Sequence, residues 1–329
     1  MQGDLVFVSG GTGFVGAAVI RRLLAEGFRV RALARDPAAI TTPGVSEIVA
    51  GDLRDPSAVA QAMRGVRYAF HVAADYRIWV PDPATMMAIN VEGTRTVMRA
   101  ALDAGVERVV HTSSVATLTP AADGVADETC AGKAETAIGP YKRSKLLGER
   151  VVEAMVRDEG LQAVIVNPST PVGPFDVKPT PTGRMILEAA AGRMPAYVDT
   201  GLNLVHVDDV AAGHLAALRK GRTGERYILG GDNVSMGEML SEIAELTGRK
   251  ARFVALPIAP LVPLAHVSEW VARLTGRTPM LTRDALKMAR QKMYFSPEKA
   301  KSELGYAPRP HVEGLRDAIA WFRETGRLS

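Results

Sequence analysis

Apolar and polar positions along the chain follow two alternating periods. Short runs rich in β-branched and other apolar residues, Leu5-Val6-Phe7-Val8, Arg29-Val30-Arg31-Ala32-Leu33, Tyr68-Ala69-Phe70-His71-Val72, Arg108-Val109-Val110-His111 and Gln162 to Val166, read as strands. Between them lie helical patterns from Val15 to Ala25, Pro56 to Met63, Ala84 to Ala104 and Tyr141 to Asp158. Strand followed by helix, repeated, implies a parallel sheet with helices on both faces. After Asn167 the pattern breaks, and prolines at 168, 171, 174, 179 and 181 exclude a long helix there. Val205 to Asp209 and Arg226 to Leu229 read as strand-like pieces returning to the sheet, separated by a helix from Val210 to Arg219. From Ser235 onward the chain is expected to be mostly helical. The pattern therefore predicts an α/β fold, a doubly wound parallel sheet over residues 1–168 with 203–231 returning to it, and a smaller, mostly helical lobe from 169–202 and 232–329.

Composition narrows the function classes. With 47% hydrophobic residues the chain can bury a large core, which excludes disorder as its main state. Basic and acidic side chains are nearly balanced, 40 against 36, so the total charge is no sign of a nucleic-acid or membrane-surface protein. Cys130 is the lone cysteine and no Cys/His cluster accompanies it, so no disulfide and no metal site is expected, and the cytoplasm is the default compartment. Met1 to Asp4 leave no room for a signal peptide before the first strand, and no apolar segment reaches the length of a transmembrane helix.

Strand Leu5 to Val8 runs into Ser9-Gly10-Gly11-Thr12-Gly13-Phe14-Val15-Gly16 and then a helix. Glycines in that place let the backbone approach a pyrophosphate, and the helix start offers free N–H groups to its charge, as in Rossmann-type dinucleotide binding. Two registers fit: Gly11, Gly13 and Gly16, or Gly10, Gly13 and Gly16. The second strand ends Ala34-Arg35-Asp36-Pro37, where an acid would bind the ribose hydroxyls of NAD and an arginine the extra phosphate of NADP. Both side chains are also natural turn residues. Asp52, after the next strand, is placed to meet the adenine amino group, while Asp55 reads as a helix cap before Pro56.

Tyr141 and Lys145 share one face at the start of a helix. A nearby ammonium favours phenolate, so the expected effect is a lowered tyrosine pKa and a general acid or base near neutral pH. An earlier strand ends Thr112-Ser113-Ser114, at the sheet edge where such folds bind ligands, although capping and turn formation are the commoner roles of such serines. The absence of a G-x-S-x-G elbow removes a serine-hydrolase reading.

Together, Gly10-x-x-Gly13-x-x-Gly16, Asp52-Leu53, His71-Val72-Ala73-Ala74, Asn90, Thr112-Ser113-Ser114, Tyr141-x-x-x-Lys145 and Asn167-Pro168-Ser169 resemble an extended short-chain dehydrogenase/reductase of the NAD-dependent epimerase/dehydratase superfamily. The resemblance extends to Val207-Asp208-Asp209-Val210, Leu304-Gly305-Tyr306 and Glu313-Gly314-Leu315. It implies hydride transfer between a nicotinamide and a carbinol or carbonyl carbon, with Tyr141 handling the proton, Lys145 also holding the nicotinamide ribose, and Ser114 as the catalytic hydroxyl. His71 to Ala74 would line the cofactor, with a satisfied core histidine the alternative for His71, and Pro168 and Ser169 would meet the nicotinamide end. The helices from Ala84 to Ala104 and Tyr141 to Asp158 stand where the family commonly builds a homodimer.

Departures from the family pattern point to a branch. Sugar epimerases usually end the second strand with an aspartate where this chain has Ala34, followed by Arg35, which resembles the dihydroflavonol-reductase-like branch. NADP(H) is thus the favoured cofactor and NAD(H) the alternative. Nucleotide-sugar dehydratases follow their hydroxyl residue with Asp-Glu, whereas Val115-Ala116 follow Ser114 here. The apolar run Leu256 to Ala265, with Trp270, Val271 and Leu274 beyond it, reads as core, as a lid over a greasy substrate, or as a shallow membrane contact. Overall, and including His71 to Met87 and Tyr294-Phe295-Ser296-Pro297, the chain most resembles the bacterial hopanoid-associated sugar epimerase group. The expected function is an NADP(H)-linked oxidoreductase acting on a sugar-like or lipid-linked small molecule. A sugar epimerase with a retained dinucleotide is the runner-up, and a non-catalytic dinucleotide sensor or scaffold is a third reading.

Overall fold

Strands form where the sequence supplies short apolar runs able to bury both faces. The computed structural model describes residues 3–80, 82–121, 124–250, 253–276, 279 and 281–328. Its first half runs β1 (Leu5–Ser9), α1 (Phe14–Ala25), β2 (Arg29–Ala34), β3 (Glu47–Ala50), α2 (Pro56–Met63), β4 (Tyr68–His71), α3 (Pro83–Met87), α4 (Gly93–Asp103), β5 (Arg108–Thr112) and α5 (Gly139–Glu159). It continues with β6 (Ala163–Pro168), β7 (Thr170–Val172), α6 (Pro181–Ala190), β8 (Ala196–Val198), β9 (Gly201–His206), α7 (Val207–Lys220), β10 (Arg226–Leu229) and β11 (Asp232–Ser235). The last elements are α8 (Met236–Leu246), β12 (Val254–Leu256), α9 (Leu261–Thr275), α10 (Arg283–Ala289) and α11 (His311–Glu324).

The main sheet has seven strands in the order β10-β6-β5-β4-β1-β2-β3, and every pairing in it is parallel. Alternate residues of each strand feed opposite cores, as the two-residue period requires. Val6 and Val8 pack with Ile20, Leu23, Leu215 and Leu218 beneath α1 and α7. Phe7, between them, packs on the other face with Met63, Met98, Val152 and Met155 from α2, α4 and α5. A third cluster under α6, α8 and α11, including Ile186, Leu240, Ile243 and Phe322, holds the smaller lobe.

The expected parallel sheet flanked by helices is the one observed, with one correction. Residues 205–209 do not return to the main sheet: Gly201–His206 is β9, the central strand of a separate three-stranded sheet, β11-β9-β7, and Val207 already begins α7. His206 ends that strand by capping the helix, its Nδ1 accepting the N–H of Asp208 at 3.0 Å. Only β10 makes the return.

The helical stretch expected from Ala84 to Ala104 is interrupted by a π-helical turn, Ala88–Glu92, that presents Asn90 inward. Such a turn inserts one residue and re-aims a side chain. It also brings the Asn90 carbonyl so close to α5 that a Cβ on Gly148 would overlap it. Replacing Gly148 with alanine is therefore expected to destabilise the fold by about 1–3 kcal/mol through overpacking, read as a lower urea midpoint. An unchanged midpoint would show that the two helices separate at no cost.

Candidate active site

The reversal of strand order lies between β1 and β4, where one side of the sheet continues to β2 and the other to β5. Ligands of open parallel sheets bind in the crevice at such a reversal. The glycine loop fills this position, and its geometry selects between the two registers. Gly10 has φ of +80°, and a Cβ there would stand 2.6 Å from the Ala73 nitrogen. A Cβ on Gly16 would overlap the Gly10 carbonyl, whereas one on Gly11 would meet the movable end of Ile20. Gly10, Gly13 and Gly16 are therefore the backbone-constrained set. Gly13 is the N-cap of α1 with no side chain capping it and no acid in the first turn, so the start of the helix at Phe14, Val15 and Gly16 keeps N–H groups available to an anion. A groove of about 170 Å³ opens here, bordered by Thr12, Arg21, Tyr76, Phe175 and Lys178. The residues present fit a dinucleotide pyrophosphate. Phe175, whose φ is +71°, stacks against the Arg21 guanidinium at 4.5 Å, a contact no sequence motif signals.

Two strands away, β5 ends at Thr112 and the chain turns through Ser113 and Ser114. Ser114 caps the short turn Val115–Thr117 by accepting the Ala116 N–H at 3.1 Å, and its hydroxyl lies near enough to the Tyr141 phenol to favour the phenolate. Lys145, one turn along α5, donates to the Thr112 carbonyl at 2.8 Å. Ser114 and the Tyr141–Lys145 pair, separated in sequence, thus meet at one sheet edge. Burial pushes the Tyr141 phenol up, opposed by the nearby Ser114 hydroxyl. This corrects the expected lowering: the Lys145 ammonium is held on the Thr112 carbonyl, and desolvation sets the sign. Burial also brings the Lys145 ammonium down to about 8, against the opposing pull of Glu149.

Glu149 is the residue that sequence reasoning missed. Its carboxylate, 1% exposed, receives the Ser113 hydroxyl, lies 3.0 Å from the Thr117 hydroxyl, accepts from Asn167 Nδ2 at 3.0 Å and pairs with Arg226 at 3.0 Å. Asn167 also donates to the Ser114 carbonyl at 3.0 Å. One buried acid thereby holds the segment carrying Ser114. The only hint in the sequence is its spacing, one helical turn beyond Lys145. Asn90 does the same for the start of α5: it bonds both backbone groups of Asp75 and donates to Ser144 Oγ at 2.9 Å, which in turn bonds the Tyr141 carbonyl.

The remaining expected residues divide by their contacts. Arg35 is exposed at the end of β2 and no ion pair to it is found among the described residues. Asp36 is occupied as the cap of the next turn, accepting the Ala38 N–H at 3.1 Å. Asp52 is gripped by Arg54 through two contacts of 2.9 Å, which hold its carboxyl at about 2, and Leu53 packs over Gly93. Asp55 caps α2, as its position implied. Ala73 lies against Gly10 and Ala74 follows it, while Pro168 ends β6 beside Leu229 and the Ser169 N–H bonds Leu229.

His71 proves to be a satisfied core histidine. Thr94 donates its own proton to the Asn90 carbonyl, so His71 Nε2–H donates to Thr94 at 3.0 Å and Nδ1 accepts from Ser9 at 2.8 Å. His214 is likewise neutral, with Nδ1 on the Val210 carbonyl at 2.7 Å and Nε2 at 2.8 Å from the Thr112 hydroxyl. His111 lies beside His71, ring centres 5.3 Å apart, with neither nitrogen bonded.

Fold and site together define a dinucleotide-binding enzyme of the Rossmann class. The family model "NAD dependent epimerase/dehydratase family" matches residues 6–230, and the chain belongs to that family. The crystal structure of gox2253 is 53% identical, with a TM-score of 0.89, and covers 99% of this chain and 100% of that one. A Synechocystis protein named "Putative dihydroflavonol 4-reductase" is 44% identical over 98% of this chain and 96% of its own. Sterol demethylase protein B of Methylococcus capsulatus is 36% identical over 98% of this chain and 99% of its own. The protein is an NAD(P)-dependent oxidoreductase or epimerase with the extended short-chain dehydrogenase/reductase fold.

Burial lowers His71 to about 3, helped by Lys145, and His214 to about 4, against the Val210 hydrogen bond, and with its charged neighbours drives His111 well below its usual range. All three stay neutral in the folded chain at pH 5, whereas the unfolded chain protonates them below about 6.5. Unfolding at pH 5 should take up about three protons from these residues, and their share of the stability should fall by about 4 kcal/mol per pH unit on acidification through that region. Urea unfolding between pH 7 and pH 5 measures the slope; a flat profile would mean that the histidines are solvated.

Proposed function

We propose that the chain is an NADP(H)-linked oxidoreductase interconverting a carbonyl and an alcohol on a sugar-like or hydrophobic, lipid-linked small molecule. The observation that carries this reading is the meeting of Ser114, Tyr141 and Lys145 at one sheet edge, two strands from the glycine loop. Gly10, Gly13 and Gly16, with the helix start at Phe14 and Val15, would hold the pyrophosphate, and Asp52 and Leu53 would border the adenine. Thr112, Ala73, Ala74, Pro168 and Ser169 would line the nicotinamide end. The guanidinium of Arg35, exposed and without an ion-pair partner among the described residues, favours a ribose phosphate and hence NADP over NAD. A lipid-like substrate is supported by the relative named for sterol demethylation. The enzyme on this reading is cytoplasmic.

When bound, the nicotinamide supplies the hydride to the substrate carbon or takes it away. In the reductive direction Tyr141 donates its phenolic proton to the carbonyl oxygen, Ser114 holds that oxygen, and the Lys145 charge balances the phenolate left behind. A phenol raised by burial is protonated throughout the neutral range, which suits an acid and so favours reduction. The family name favours a second reading: an epimerase would use the same residues to oxidise and re-reduce one carbon. It would convert isomers with no added dinucleotide.

Cofactor titration tests the first half of the proposal. NADP should bind more tightly than NAD, and Arg35→Ala should weaken NADP by about 1.5–3 kcal/mol while sparing NAD, the worth of a hydrogen bond to a charged group. Equal affinities in the unaltered chain would sink the NADP assignment.

Steady-state kinetics test the second half. Tyr141→Phe should lower kcat for carbonyl reduction by about 10²–10⁴. Reduction should stay level through neutral pH and fall above about 8 as Lys145 loses its proton, and Lys145→Arg should move that fall to higher pH. Full turnover by the phenylalanine variant would remove Tyr141 from the chemistry.

A further inference from the structure

The apolar run that the sequence left open between core, lid and membrane contact is not core. On α9, Leu264, Val267, Trp270, Val271 and Leu274 are 43–68% exposed, while Ala265, Glu269 and Ala272 on the opposite side are buried. The exposed positions fall three and four residues apart, so they form one face. Nearby strand β12 adds exposed Val254 and Leu256. Large side chains gathered this way on a surface mark a binding face, since scattered exposure would not share one stripe.

Charge identifies what the face meets. The chain's net charge is +4, and residues 261–292 alone carry six basic residues, Arg273, Arg277, Arg283, Lys287, Arg290 and Lys292, against Glu269 and Asp284. That segment therefore holds the whole excess, and the rest of the chain is neutral. Of these, Arg283, Lys287, Arg290 and Lys292 are exposed, on or just after the helix packed beside α9. The near balance of total charge argued against a membrane surface, but the excess is local. An apolar helical face centred on tryptophan, with basic residues next to it, is the pattern of an interfacial helix that lies in the headgroup region of an anionic bilayer. Among the described residues no helix is long and apolar enough to cross a membrane, so contact is at the surface.

We propose that the exposed face of α9, with the basic residues of α10, docks the protein on anionic lipid bilayers. The placement gives the contact a purpose. Gly139, in a left-handed conformation with φ of +77°, makes room for the side chain of Asp284 on α10, a Cβ there falling 2.9 Å from the carboxylate. Helix α10 thus abuts the start of α5, two residues before Tyr141, which places the membrane contact next to the proposed reaction centre. Docking itself does not depend on what the substrate is.

Vesicle co-sedimentation of the full chain tests the proposal, using phosphatidylcholine alone or with about one third phosphatidylglycerol. The chain should pellet with the anionic vesicles roughly tenfold more than with the neutral ones, and about 0.5 M salt should release most of it. Trp270→Ser with Leu274→Ser, and separately Lys287→Glu with Arg290→Glu, should each reduce pelleting roughly tenfold, with unchanged melting and cofactor binding showing that the variants are folded. An unaltered chain that stays in the supernatant with both vesicles overturns the proposal, as does equal pelleting of the variants. Sedimentation equilibrium in which the serine variant turns a dimer into a monomer, with no vesicle binding by the parent, assigns the face to a second copy instead and also overturns it.

Discussion

The ion pair between Glu149 and Arg226 is the contact on which the site's geometry depends. It ties the middle of α5 to the outermost strand β10, and the same carboxylate collects Ser113, Thr117 and Asn167 from the ends of β5 and β6. A carboxylate 1% exposed is tolerated only when charge and hydrogen bonds replace the water it loses. Here the replacements are the segments that carry Ser114, so satisfying the acid and placing the hydroxyl are one structural event. Removing the acid would leave Arg226 and three polar side chains without their common partner.

The surroundings of that network are arranged to stay uncharged. His71, His111 and His214 line the strand ends near Lys145 as neutral rings, two of them with a tautomer set by a hydroxyl or carbonyl neighbour. Lys145, one turn beyond Tyr141 on α5, is held by backbone rather than by an acid partner. Its ammonium sits at about 8, low enough to respond to pH, while the tyrosine remains a phenol. On the proposed reading this division of labour gives a proton donor and a separate charge reservoir two strands from the cofactor loop.

The smaller lobe extends the same logic to the surface. Strands β7 and β9 leave after β6 and β11 leaves just after β10, both from strands of the main sheet, so the lobe grows out of strand ends that border the site. Helices α9 and α10 keep a polar anchor inward, Glu269 with Arg283 at 2.8 Å, and an apolar face outward. The candidate site and the exposed face are therefore linked by the packing of Gly139 against Asp284.

Sequence alone determined the fold class and located most of the candidate site, because both rest on local signals. The two-residue and helical periods marked the strands and helices, and glycines between strand and helix marked the candidate dinucleotide loop, while the close approach of Gly10 to Ala73 and of Gly16 to the Gly10 carbonyl chose between its two registers. Tyr141 and Lys145 were visible through their spacing on one helix. What the sequence could not carry were effects of burial and of distant partners. The direction of the Tyr141 shift, the reach of Glu149 to four elements, the departure of residues 205–209 from the main sheet and the exposure of α9 each depend on which surfaces lose water, and that is decided only when the whole chain packs.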